Sequence, residues 1–200
     1  MGLKIKVKAG RINNLSDARY CAGMGVEMLG FLIDNESEES ISPELFNAIT
    51  GWVSVPEIVG ELISSSIPDL ESYKVSYLEV SDPGLLSVIQ EKGLKAILRL
   101  DLSKVNKDEV VKLMEEFKNE ADYFLLNKSV PDKPTESELI EISEWAKKYP
   151  LMLGFGIVAE NIESLLNHGI DAIAIYGSSE IRPGFKSYDE IADILEALED

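Results

Sequence analysis

One recurrence constrains this chain more than any other feature. Short apolar runs rich in β-branched and aromatic residues return along its whole length, centred near Ile5, Leu29, Val53, Tyr77, Ile97, Phe124, Leu153 and Ile173. Successive centres lie 24, 24, 24, 20, 27, 29 and 20 residues apart. A strand, a turn and a short helix fill such an interval, so the spacing predicts a strand–helix unit repeated eight times. The intervening stretches carry helical periodicity and caps. Ser16 is expected to cap Asp17–Met24 ahead of Gly25, and Ser42 with Pro43 opens Pro43–Ile49. Asp82 with Pro83 opens a helix that stops near Gly93, and Asn106 heads Lys107–Lys118. Thr135 through Glu138 fits a capping box before Leu139–Lys148. Asn161–Leu166 and Tyr188–Leu198 complete the series. The third unit is the least regular, because Ile58–Ser66 is short and Ser64–Pro68 reads as a loop.

Open parallel sheets usually stop at five or six strands, so eight regular units predict an α/β fold of the closed (β/α)8 TIM-barrel type. The 200 residues lie near the lower limit for it, and no linker divides them, so one barrel domain over residues 1–200 is expected. Composition narrows the partners. Nineteen Lys plus Arg against 36 Asp plus Glu give a charge of −17. That balance opposes a nucleic-acid partner and an anionic membrane surface. Cys21 stands alone, which excludes an intrachain disulfide or a multi-cysteine metal site. No signal peptide or membrane span is legible. The expectation is a cytoplasmic monomer or homodimer with no metal and no cofactor.

In this architecture the site lies at the carboxyl ends of the strands. The polar residues expected there are Gly10 and Arg11, Asp34, Glu57, Glu79 and Asp82, Arg99 and Asp101, Asn127 and Lys128, Gly154 and Gly156, and Tyr176 through Ser179. Strand alternation turns Leu98 and Leu100 toward the helices, and so Arg99 and Asp101 toward the mouth. The same rule leaves Glu79 on the inner side of the neighbouring strand. An Arg99–Glu79 pair follows, because an enclosed guanidinium needs a carboxylate. Such a pair either plugs the barrel or serves a ligand. Gly156, Gly177, Ser178 and Ser179 lie in the two loops where barrels of this kind usually take a phosphate on backbone N–H groups. Tight βα turns also need glycine, so that reading has a structural rival. Arg11, Arg99 and Tyr176 are the expected substrate contacts, provided that neither Tyr77 nor Tyr176 fills the cavity. His168 and Cys21 are expected to be structural. Lys4, Lys6 and Lys8 share one face of the first strand, which is unusual beneath a helical layer; snorkelling or pairing with acidic helices would accommodate them.

Several segments resemble the phosphoribosylanthranilate isomerase family, the small barrels of tryptophan biosynthesis. Val7-Lys8-Ala9-Gly10 followed by Asn14-Leu15-Ser16-Asp17-Ala18 is similar to the family's K-I-C-G start and N-x-x-D-A helix opening. Gly25 through Phe31 is similar to G-A-D-x-x-G-F, and Ile41-Ser42-Pro43 to I-S-P. Glu160-Asn161-Ile162 after Gly156 resembles G-G-L-x-P-E-N-V, and Ser179-Glu180 through Lys186 resembles the S-S-G-V-E…P-G-x-K-D end. The resemblance implies a barrel and an Amadori rearrangement, an aldose–ketose isomerisation that needs a carboxylic acid and a thiolate base. The matching base position is Ala9 and the matching acid position is Asn127, and neither side chain does that chemistry. Glu39 stands near where the family carries an arginine for the anthranilate carboxylate, and would repel it. Ala174 and Tyr176 replace Asp and Ser, and the glycine-rich loop after strand 6 is missing.

Three readings follow. The chain is a divergent member that binds a small phosphorylated or anionic metabolite and has lost catalysis, as a pseudoenzyme, or acquired another reaction; or a working isomerase whose acid and base come from other residues such as Glu79 or Asp101; or a non-catalytic partner subunit.

Overall fold

The computed structural model describes residues 2–130, 132–176, 180–182, 185–186 and 189–199, with backbone alone from 180 to 190. Eight parallel strands, β1 (Lys6–Gly10), β2 (Met28–Leu32), β3 (Glu57–Glu61), β4 (Tyr77–Val80), β5 (Lys95–Asp101), β6 (Tyr123–Asn127), β7 (Leu151–Leu153) and β8 (Ala172–Tyr176), close into a barrel in sequence order. β1 completes the ring by pairing with β8, Lys8 opposite Ala174. A short β9–β10 hairpin (Glu180–Arg182 and Phe185–Lys186) follows.

The helices form where caps and apolar periodicity coincide. α1 (Leu15–Gly23) is capped by Asn14, whose side chain accepts from the Asp17 N–H, and not by Ser16. Asn14 satisfies an orphan donor two residues earlier, so the helix starts at Leu15 and not at Asp17. α2 (Pro43–Thr50) starts on the Ser42–Pro43 signal. A 3-10 turn at Pro83–Leu85, begun by Asp82, leads into α3 (Leu86–Glu91), with Gly93 just beyond at φ +72°. α4 (Lys107–Phe117) is capped by Asn106, and α5 (Glu136–Ala146) by the reciprocal Thr135–Glu138 box. α6 (Ile162–Leu166) and α7 (Asp189–Leu198) finish the outer layer.

The third unit departs from expectation. The strand is Glu57–Glu61, not a run around Val53, so it takes up the start of the Ile58–Ser66 stretch expected as the unit's helix, and only a 3-10 turn at Leu70–Ser72 follows. Gly60 explains how the wall stays sealed. A Cβ there would lie 2.5 Å from Ile33 Cδ1 and 2.9 Å from Leu78 Cδ2, so neighbouring side chains close over the bare strand. Glu57 therefore stands at the amino end of β3, not its carboxyl end, and Glu61 takes the carboxyl end.

Two cores result. One lies between strands and helices and contains Val7, Ala9, Leu29, Phe31, Leu78, Val80, Leu98 and Leu100. The other fills the barrel with Met28, Val59, Tyr77, Ile97, Tyr123, Leu125, Met152, Ala172 and Ala174. Lys6 and Lys8 alternate with Val7 and Ala9, so both point to the barrel interior and not toward the helices. At the amino end Lys6 Nζ donates to Tyr123 Oη (3.0 Å), and Lys95 Nζ to Tyr77 Oη (3.2 Å) and Glu57 (3.1 Å). Tyr77 is thus a plug of the far end and does not approach the mouth.

Asp34, fully buried, ties the loops after β2 and β3 together. It accepts from the N–H groups of Glu36 (2.9 Å), Ile63 (2.6 Å) and Ser64 (2.5 Å), and from Ser64 Oγ (3.0 Å). Burial alone would raise its pKa, but the donors from Ser64, Glu36 and Ile63 outweigh it and hold the carboxyl below the usual Asp value. A lowered folded pKa stabilises above the unfolded value near 3.9, and that contribution disappears as pH falls through the folded one. Asp34→Ala should cost about 3 kcal/mol in urea unfolding at pH 7, with the difference from wild type shrinking in acid.

Candidate functional site

Six ionisable side chains of alternating sign cross the carboxyl end of the barrel. Arg99 Nη1 lies 2.9 Å from Glu79 Oε1, so the expected pair is present. Glu79 Oε2 lies 2.7 Å from Lys8 Nζ, an ion-pair distance, although the approach falls outside hydrogen-bond geometry. Lys8 Nζ also donates to Glu61 Oε1. Glu61 Oε2 in turn lies 3.4 Å from Arg11 Nε, and Arg11 Nη1 lies 3.7 Å from Glu39. Strand geometry dictates this order. Glu61 and Glu79 are register partners on β3 and β4, and Lys8 reaches them from β1 along the axis.

Space for the cluster comes from two glycines. A Cβ on Gly30 would enter the Glu61 carboxylate and lie 3.0 Å from Lys8 Nζ. One on Gly10 would meet Glu61 Oε1 at 2.7 Å and the Tyr176 ring at 2.8 Å. Lys8 is 0 % exposed, and isolating an ammonium that way costs several kcal/mol unless carboxylates surround it. Burial lowers the Lys8 pKa, but Glu61, Glu79 and Tyr176 more than reverse this, and the ammonium stays protonated. Burial likewise raises Glu79, and Lys8 and Arg99 overcome it, so the carboxylate is held ionised. Tyr176, its ring centroid 5.5 Å from Lys8 Nζ, is pushed up by burial and by Glu79 and remains a phenol.

The remaining candidates are distributed around the rim. Arg99 is locked: Nε donates to Ser81 Oγ (3.0 Å), and Nη2 to Ser81 Oγ (2.8 Å) and the Leu62 carbonyl (3.0 Å). Asp101 accepts from Ser129 Oγ (2.8 Å) and the Ser103 N–H (3.0 Å), with Lys104 at 3.2 Å. Burial opposes its ionisation, yet Ser129, Ser103 and Lys104 lower its pKa. Asn127 Oδ1 accepts from the Lys128 N–H at 2.9 Å. Ala9 packs in the helix-side core and so does not face the mouth; the β1 residue that does is Lys8. Gly156, at φ +62°, is buried beneath the loop before α5, where a Cβ would lie 2.7 Å from Lys133 Cα and 2.8 Å from Pro134 Cδ. Its carbonyl accepts from Asn161 Nδ2 at 2.8 Å. Gly177, Ser178 and Ser179 lie outside the described residues.

His168 Nδ1 and Ser143 Oγ are 2.6 Å apart, far from the mouth, and Cys21 is buried in α1. Among the described residues no cluster of His, Cys, Asp or Glu fits a metal, and no helix is long and apolar enough to cross a membrane. Reading β1 as helix-covered concealed Lys8, and the misplaced third strand concealed Glu61. The signal for both was present in the alternation of Lys6, Val7, Lys8 and Ala9 and in Glu57-Ile58-Val59-Gly60-Glu61.

A closed ring of eight parallel strands, its carboxyl end lined by ionisable side chains from several of them, defines a (β/α)8 barrel with a mouth-facing polar site. Comparison with known proteins then narrows the type. No family model matches the chain. It is 25% identical over 203 residues to the N-(5'-phosphoribosyl)anthranilate isomerase of Petrotoga mobilis, covering 97% of each. The phosphoribosyl anthranilate isomerase of Thermotoga maritima superposes with a TM-score of 0.78 at 20% identity, covering 97% of this chain and 98% of that one. The isomerase of Thermus thermophilus gives 0.76 at 21%, with the same coverage. The chain is a phosphoribosylanthranilate isomerase-like barrel, and the resemblance first read from its motifs is borne out.

Lys8→Met should lower stability by about 3 kcal/mol at pH 7, because it strips a shared cation from two enclosed carboxylates. Gly30→Ala should be comparably damaging, since the carboxylate it displaces has no solvent to enter. Urea denaturation of both variants measures this.

Proposed function

We propose that this barrel does not isomerise phosphoribosylanthranilate, and that it binds a small phosphorylated metabolite at the carboxyl end of its strands. The observation that carries the first half is Lys8, wholly enclosed between Glu61 and Glu79 at the axis-facing position of β1. General acid–base catalysis requires groups that exchange protons near neutral pH. Here Lys8 is held as an ammonium and Glu79 as a carboxylate, and Asn127 is an amide. Asp101, the other substitute acid or base, is held ionised by Ser129, Ser103 and Lys104. A working isomerase built on Glu79 or Asp101 would have to break these contacts first.

The second half rests on chemistry at the rim. Arg11, Arg99 and Tyr176 would line the ligand, and Gly156, Gly177, Ser178 and Ser179 would offer backbone N–H groups and hydroxyls to its phosphate. The −17 charge of the chain opposes any anion, but at physiological salt the screening length is about 8 Å, so local donors dominate. A solved phosphoribosyl anthranilate isomerase that superposes on this chain with a TM-score of 0.76 at 20% identity, covering 97% of this chain and 98% of that one, was crystallised with a reduced carboxyphenylamino-deoxyribulose 5-phosphate.

The chain should fail to rescue a tryptophan auxotroph lacking the isomerase, and the purified protein should show no turnover of phosphoribosylanthranilate. Normal growth would refute the first half. Ribose 5-phosphate should bind, as read by calorimetry, and Ser178→Glu should abolish that binding by placing a like charge in the phosphate loop.

A further inference from the structure

The amino end of the bore holds more hydrogen-bond donors than acceptors. Strand parity turns Lys6, Glu57 and Lys95 inward there, beside the rings of Tyr77 and Tyr123. Lys6 reaches Tyr123 from β1, three strands away round the ring, while Lys95 meets Tyr77, its register partner on β4. The two ring centroids lie 6.4 Å apart, so both lysine–tyrosine pairs share one opening.

Ring contacts alone do not account for this end. Lys6 Nζ stands 5.7 Å from the Tyr123 centroid and Lys95 Nζ 4.8 Å from that of Tyr77, contacts that phenylalanine would offer as well. The hydroxyls add something else. Each accepts from its lysine, at 3.0 Å and 3.2 Å, yet among the described residues neither donates its own O–H. Lys6 spends one of its three N–H donors on Tyr123, and Lys95 spends two, on Tyr77 and Glu57. Among the described residues five donors are left over: two on Lys6, one on Lys95 and one on each phenol. Tyr77 and Tyr123 are 4 % and 8 % exposed, so packing fixes their positions, whereas both lysine side chains reach solvent.

The charges agree with the donor count. Two ammoniums face one carboxylate in the opening, that of Glu57. The Tyr123 hydroxyl raises the Lys6 pKa, and Tyr77 with Glu57 raises that of Lys95, so both stay protonated. Burial raises Tyr77 against the influence of Lys95, and its O–H is retained. Glu27, Asp122 and Asp171 each precede an inward-facing residue and so turn outward. There they accept from the N–H groups of Val7, Ala96 and Leu151, each at 2.9 Å.

We propose that the amino end of the bore is an anion site, separate from the mouth, that takes a small tetrahedral oxyanion of the sulfate or phosphate type. The ion would rest over the two phenols and receive their O–H groups, with the lysine N–H groups closing on it from the solvent side. Charge-assisted bonds from the two ammoniums carry most of the affinity. The −17 charge of the chain opposes the ion only from within the screening length of about 8 Å at physiological salt.

The test titrates 13C-lysine-labelled protein with sodium sulfate replacing sodium chloride at constant ionic strength, and follows the Lys6 and Lys95 side-chain signals by NMR. Both signals should move along saturating curves with one common midpoint. Lys6→Met should raise that midpoint, read on Lys95, at least ten-fold, because bonds from a charged donor are lost. Tyr77→Phe and Tyr123→Phe keep the rings and should each raise it about two- to ten-fold. Thermal melts check that the variants stay folded, and Lys6→Met, at an exposed side chain, decides the matter even where a phenol variant does not fold. Signals that do not saturate, different midpoints for the two lysines, or an unchanged midpoint in Lys6→Met would each overturn the proposal. An unchanged midpoint in both folded phenylalanine variants would do so as well, since the phenols would then not be donors.

Discussion

The enclosed Lys8 ammonium is the constraint around which the carboxyl half of the barrel is arranged. A bare ammonium in a sealed interior is unstable by several kcal/mol unless carboxylates surround it. β3 and β4 each supply a Glu at the same level, and these carboxylates in turn need the two arginines. Gly10 and Gly30 follow from the same demand, because any larger residue would occupy the volume of the ion pairs. Six positions on five strands and adjoining loops are therefore set by one buried charge.

That arrangement separates scaffold from chemistry. The likeness to isomerases extends over nearly the whole chain, yet at the centre of the mouth Lys8 is held as an ammonium and Glu79 as a carboxylate by their opposite charges. Fold similarity carries no reaction without groups able to perform it. What remains exposed is the periphery, where Arg11 meets solvent.

The fold was legible because its signal is periodic and repeated: Ser42-Pro43, Asn106 and Thr135–Glu138 mark helix starts through local hydrogen bonds that owe nothing to tertiary context. The Arg99–Glu79 pair was legible for a related reason, since alternation along two adjacent strands sets both side chains on one face. Lys8 was not, because a lysine inside a barrel is stable only with partners more than fifty residues away, and no local pattern announces them. Glu61 was lost to a different cause. β3 is followed by no α-helix, so the repeat that located the other strands had nothing to anchor it there. Ala9 was matched by motif to a catalytic position, whereas strand parity turns it outward; a one-residue shift exchanges the two faces of a strand.

The helix-free third unit has a consequence for how this chain can be rearranged. Ser65 and Ser66 are exposed on a connection that packs no helix against the sheet, with Asp34 fastening the chain just before them. Most other βα connections carry a helix whose removal would uncover core. The peptide between these serines is thus a natural seam: the barrel can be opened there into arcs of three and five strands, its ends relocated or a foreign domain inserted, while the ring stays closed by strand pairing alone.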